Sequence, residues 1–183
     1  MINIEEIDGK TIVHYYYNIE TLKKEVDMRT SYLGRFRKSE DAAHLLDRLR
    51  FSGDESDLFT SFLKSAMAEI FMFIGKSTQD VENAYIYEPE NQNAVDPLSP
   101  YKESVHYTIS WNERYNKNYI QPVDRHIFDA LVWYILWRWL MLAELPDEAE
   151  VARSSYGRAT TNIQKDSTRT GASAFVNKTP RIF

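Results

Sequence analysis

The chain has 183 residues, no cysteine, a formal net charge of −5 and a mean hydropathy of −0.50. The missing cysteines exclude disulfides, Cys-ligated zinc, iron–sulfur clusters and a thiol nucleophile. The acidic balance argues against binding that neutralises nucleic-acid phosphates, and no sequence-specific nucleic acid is expected as a partner. Aromatic residues make up 14%, enough for an aromatic-rich core or for interfaces that use rigid rings.

Residues 1–17 read as a strand or hairpin, because the β-prone run Ile12 to Tyr17 follows the turn signal Asp8-Gly9. Asn18 is placed to cap a helix with Ile19, Leu22, Val26 and Leu33 near one face and Gly34 as its end. Arg35, Arg37, Lys38, Arg48 and Arg50 form a local basic cluster, within which Ser39 opens a short helix lined by Ala42, Ala43, Leu45, Leu46 and Leu49. The next helix is predicted over 57–75. Leu58/Phe59, Phe62/Leu63, Ala66/Met67 and Ile70/Phe71 recur every four residues, Asp57 complements the dipole, and Gly75 is the expected stop.

Prolines 89, 97 and 100 with Asn91, Asn93 and Asp96 predict a loop within 77–123, bracketed by β-prone Tyr85–Tyr87 and Ser104–Trp111. In the second piece Val105, Tyr107, Ile109 and Trp111 alternate with polar residues, the pattern of a half-buried strand. The block is expected to form a small sheet with the N-terminal strand, standing off a helical body.

The run Phe128 to Ala143, FDALVWYILWRWLMLA, is apolar on nearly every side, with only Asp129 and Arg138 as charges. A surface helix has one apolar stripe, so this one must be covered all round. It is shorter than the roughly 20 apolar residues of a membrane span, and its two charges oppose insertion. A buried helix is predicted, starting after Pro122 with Asp124 as cap and running to about Leu145, where Pro146 stops or bends the chain. Asp129 and Arg138 cannot pair with each other along one helix. Each therefore needs another partner, read as an opposite charge on another subunit, or a route to solvent at the core edge.

Asp147, Glu148 and Glu150 open a last, mostly polar helix over about 147–167, with Val151, Tyr156, Ala159 and Ile163 as a thin apolar stripe. Residues 168–183 contain no acid and carry Arg169, Lys178 and Arg181 among the apolar anchors Phe175, Val176, Ile182 and Phe183. Little independent structure is expected there, and an extended C-terminal arm packed on a neighbouring subunit is the predicted arrangement.

No catalytic, cofactor or metal motif emerges. Histidines 14, 44, 106 and 126 match no HExxH or His-x₃₋₅-His spacing, six scattered glycines form no phosphate loop, and no GxSxG is present. The start MINIEEIDGK has acids where a signal peptide needs a basic segment, so a cytoplasmic location is expected. The fold class predicted is mainly α: a helical bundle over 1–167 with a strand and loop insertion at about 77–123, followed by the arm at 168–183.

The order of amphipathic helices, a WRWL-type apolar helix leading through Leu145-Pro146 into a polar helix with Ala152, Tyr156 and Ala159, and a basic arm resembles the head–tail connector (adaptor) proteins of tailed-bacteriophage necks. The resemblance spans about half the chain, most closely 119–168, and is one of organisation. It implies a structural virion protein without enzymatic activity or cofactor, assembled in the host cytoplasm as a dodecameric ring beneath the portal protein and docking the next neck or tail component. Arg169, Phe175, Val176, Lys178, Arg181, Ile182, Phe183, Asp129 and Arg138 are then the candidate partner-binding residues. Two other readings of the residues are a small helical metal-binding enzyme using His44, His126 and nearby carboxylates, and a cytoplasmic homodimeric regulatory protein that buries helix 128–143.

Overall fold

The computed structural model describes residues 1–35, 56–77, 80–87, 103–111 and 114–169. The short helix expected after Ser39, most of the basic cluster, the proline-rich loop at 88–102 and residues 170–183 lie outside the described residues. Among the described residues the fold is mainly α, with four long helices joined to a four-stranded antiparallel sheet of order β1-β2-β4-β3.

β1 (Ile2–Ile7) and β2 (Lys10–Asn18) form the expected hairpin. Its two-residue turn places Asp8 at φ 50° and Gly9 at φ 76°, the left-handed pair that a tight hairpin needs. Asn18 then caps α1 (Ile19–Arg35): its Oδ1 accepts the Thr21 N–H at 2.9 Å. Leu22 and Val26 are fully buried on the face that the periodicity marks.

α2 (Ser56–Ser77) runs through Gly75. One helical glycine costs only about 1 kcal/mol against alanine, and Phe59, Leu63, Ala66, Ile70 and Ile74, all within 1% of full burial, hold the helix in place. β3 (Asp80–Tyr87) begins well before its β-prone tyrosines, and β4 (Ser104–Trp111) joins it to β2.

The sheet does not stand off the helices; it is one wall of the core. Val13, Tyr15 and Tyr17 of β2 share a face with Val105, Tyr107, Ile109 and Trp111 of β4, and all belong to the same buried cluster as the helices. Two tyrosines tie the layers together. The Tyr17 hydroxyl donates to the Asp124 carbonyl at 3.1 Å, and that of Tyr107 donates to the Met67 carbonyl at 3.4 Å. β4 is buried on both faces, because His106, Thr108 and Ser110 are covered as well. Alternation with polar residues marks a half-buried strand only where the polar face meets water.

A 3₁₀ turn (Lys117–Tyr119), capped by Asn116, feeds α3 (Ile120–Leu142). This moves the helix start ahead of the position read from sequence. Pro122 falls in the first turn, where a missing N–H has no intrahelical partner to lose, and Asp124 lies inside the helix rather than capping it. α3 is covered by its own chain: Val123, Ile127, Ala130, Leu131, Val132, Ile135, Leu136 and Leu140 have no exposed surface.

α3 ends in a Schellman arrangement, with Glu144 N bonded to Met141 O at 3.3 Å and Leu145 N to Leu140 O at 3.0 Å. Glu144 takes the left-handed position at φ 58°, where glycine is usual. Pro146 is therefore the first residue of α4 (Pro146–Ser167) rather than a bend in α3. The buried stripe of α4 is Ala149, Ala152, Tyr156, Ala159 and Ile163, a sequence of helical steps that lets α4 lie close along α3. Val151 lies off that stripe and is 57% exposed.

Candidate functional site

Each helix contact to α3 carries one polar clasp. Asp129 of α3 accepts from Arg29 Nη2 of α1 at 2.9 Å, while Arg29 Nε reaches Glu25 at 2.9 Å. The Arg29 guanidinium lies over the Trp133 ring, 4.4 Å from its centroid. The charge that sequence left in search of a partner thus has one inside the chain. On the other side, Glu69 of α2 accepts from Tyr134 at 3.1 Å and from Tyr156 at 3.0 Å, joining three helices through one carboxylate. Burial and the neighbouring Glu69 charge both push the Tyr134 and Tyr156 phenols up, so both stay protonated donors. His126 Nε2 lies 3.3 Å from Asp166 Oδ2, linking α3 to α4.

Asp124, also on α3, makes no such side-chain clasp. Its Oδ1 is buried without a hydrogen bond, and burial raises its pKa while the Tyr17 hydroxyl draws it part of the way back. An open cavity of about 300 Å³ next to it is lined by Tyr16, Tyr17, Asn18, Thr21, Arg125 and Phe128.

The distal end of the α3–α4 hairpin has a different surface. Met141, Leu142 and Val151 are 55%, 59% and 57% exposed. Arg138 is also exposed and lies 5.8 Å from the centroid of Trp137, with Arg153 on the same ring at 5.7 Å. Asp147, Glu150 and Arg158 add charges of both signs along α4. Exposed apolar side chains and charges of both signs on the same two helices have the make-up of a protein-contact surface.

Arg169 is the last described residue and is fixed in place. Its carbonyl accepts from Asn116 N at 3.0 Å, and its guanidinium lies 5.5 Å from the Tyr119 centroid. Arg169 therefore lies beside the start of α3. Of the residues read as partner-binding, Asp129, Arg138 and Arg169 fall on separate parts of α3 and its flanks. Phe175, Val176, Lys178, Arg181, Ile182 and Phe183 lie outside the described residues, as does His44.

Sequence spacing gave no sign of the pairing between His14 and His106, which are 92 residues apart. The sheet register brings them onto one face, with His14 Nδ1 and His106 Nε2 at 3.1 Å. Only the shared strand parity of His14 and Tyr16 on β2 and of His106 and Thr108 on β4 hinted at it. Among the described residues no three His, Cys, Asp or Glu side chains converge, and no helix is long and apolar enough to cross a membrane.

Comparison with protein-family models, with curated proteins and with solved structures gives no match in any of the three.

Proposed function

We propose that this chain is a structural virion protein, a head–tail connector that assembles as a ring beneath the portal protein and receives the next neck or tail component. The observation that carries the proposal is the split character of the α3–α4 hairpin. Its inner side is sealed within the chain, while Met141, Leu142 and Val151 are exposed on it, as are Arg138, Arg153, Asp147 and Glu150 of the same two helices. A patch that mixes apolar side chains with both charge signs suits a head-to-tail contact between copies, the kind that closes into a ring. In this reading the helices around α3 serve as the bundle of the connector, and the sheet braces it.

The fixed position of Arg169 supports the second half of the proposal. Residues 170–183 carry Lys178 and Arg181 among four apolar anchors, a chemistry suited to an acidic surface with apolar hollows on the portal side. Ordering such a segment costs roughly 1–2 kcal/mol per residue in backbone entropy, and repetition around a ring offsets that cost through avidity.

Truncation after Arg169 tests the reading. The shortened chain is expected to keep its far-UV circular dichroism and melting temperature while losing assembly. A truncated chain that unfolds, or one that assembles like the full chain, removes the support.

A further inference from the structure

The polar face of the sheet carries an arrangement that the assembly role does not use. His14 Nδ1 lies 3.1 Å from His106 Nε2, and the Thr108 hydroxyl lies 3.3 Å from each of them. Three ligand-type atoms on two adjacent strands thus form a nearly equilateral triangle.

All three contacts lie within hydrogen-bond distance, but the triangle is crowded for hydrogen bonds alone. Each imidazole nitrogen offers one in-plane direction, used either as an N–H or as a lone pair, and the hydroxyl brings a single proton. If His106 donates to His14, the hydroxyl meets nitrogens already engaged. If the hydroxyl bridges the rings instead, the shortest edge, between the two nitrogens, is left without a proton along it. Without three-centre sharing, at most two of the three edges are well-directed hydrogen bonds. Three lone pairs converging on one cation use all three atoms at once.

The dimensions fit a metal. With Zn–N bonds of about 2.0–2.1 Å, two ligands of a tetrahedral ion sit about 3.3 Å apart. Imidazole suits zinc, nickel and copper, and it binds as the neutral base. The Tyr16 ring stacks on His106 at 4.3 Å and 17°, which holds that ligand in orientation. His106 and Thr108 are 4% and 7% exposed, while His14 is half-buried and gives a route from solvent.

We infer that His14, His106 and Thr108 form one face of a binding site for a divalent first-row transition ion, with zinc as the leading case. The remaining positions are open to water or to an outside ligand. A bound ion would clip β2 to β4 across the centre of the sheet. This site is independent of the connector reading and stands or falls separately from it.

The test uses full-length protein stripped with EDTA and titrated with ZnCl₂, followed by calorimetry and by the visible bands of Co²⁺ as a zinc substitute. The expected result is one ion per chain. Binding is expected to weaken at least tenfold in His14→Gln and in His106→Gln, in the range of losses typical when a metal site is disturbed. His126→Gln serves as the control and retains binding. Zinc should raise the melting temperature of the wild type and of the control but not of the two site variants. His14→Gln alters a half-buried position and keeps the test valid if the His106 variant fails to fold. Absence of binding at about a hundred micromolar zinc, well above the range of a built site, overturns the inference. Equal binding in wild type and both site variants does the same.

Discussion

Removing the Arg29 guanidinium tests how α1 is held on the rest of the molecule. Arg29 makes two ion-pair contacts, to Asp129 and Glu25, each at 2.9 Å, and covers Trp133 at 4.4 Å. Its side chain is 19% exposed and that of Asp129 30%, so the pair is screened less than a surface pair. An exposed pair contributes about 0.2–1 kcal/mol and a cation–π contact about 0.5–1 kcal/mol. Partial burial places the Arg29–Asp129 contact toward the upper end of its range. Arg29→Ala is therefore expected to cost about 2 kcal/mol, and Arg29→Lys about 1 kcal/mol, since lysine keeps a charge but neither the planar fork nor the stacking. A double-mutant cycle with Asp129→Asn, read by urea unfolding, should return a coupling of about 1 kcal/mol. In melting temperature, about 2–4 °C per kcal/mol is expected for a chain of this size. A coupling below about 0.3 kcal/mol, the usual limit for additive sites, refutes the reasoning and returns Asp129 to the surface charges open to another subunit.

Other expectations follow from single positions. Glu144→Gly should stabilise the protein by about 0.5–1 kcal/mol, because glycine relieves the left-handed strain at the end of α3; a loss in thermal melting counts against the Schellman geometry. Asp124 has a folded-state pKa above its ordinary value. Its contribution to stability is therefore fully present below the ordinary carboxylate range and is lost as pH rises through the raised value. Urea titrations of wild type and Asp124→Asn between about pH 4 and 7 should show the wild type losing ground to the variant as pH rises, and parallel curves would contradict this. Met141→Glu with Leu142→Glu should change unfolding free energy by no more than about 0.5 kcal/mol, yet abolish association of copies. Undiminished association would remove the hairpin end as the contact.

Local signals carried much of the fold. The hairpin at Asp8-Gly9, the Asn18 cap, the buried α3 and the polar α4 are all fixed by residues within a few positions of the feature they set. What sequence did not show depends on distance along the chain. β4 was legible as a strand, but its place between β2 and β3 comes from pairing across the sheet, and that pairing buries its polar face. Asp124 looked like a cap because aspartate after proline fits that role. The Asn116 turn, with Tyr119 entering α3, starts the helix earlier and carries Asp124 inside it. Gly75 looked like a stop because periodicity counts residues, not the packing that holds α2 beyond it. The polar contacts of the candidate sites, Arg29 to Asp129, Glu69 to the two tyrosines and His14 to His106, each join residues at least 65 apart, so no spacing rule finds them.

The connector proposal is tested most directly by native mass spectrometry of the full-length protein across a range of concentrations, with negative-stain electron microscopy of the same samples. The proposal predicts a closed ring of copies whose order is read from the mass and from the projected symmetry, and which disappears on truncation after Arg169. A species that remains monomeric at every concentration, with no ring in the images, contradicts it.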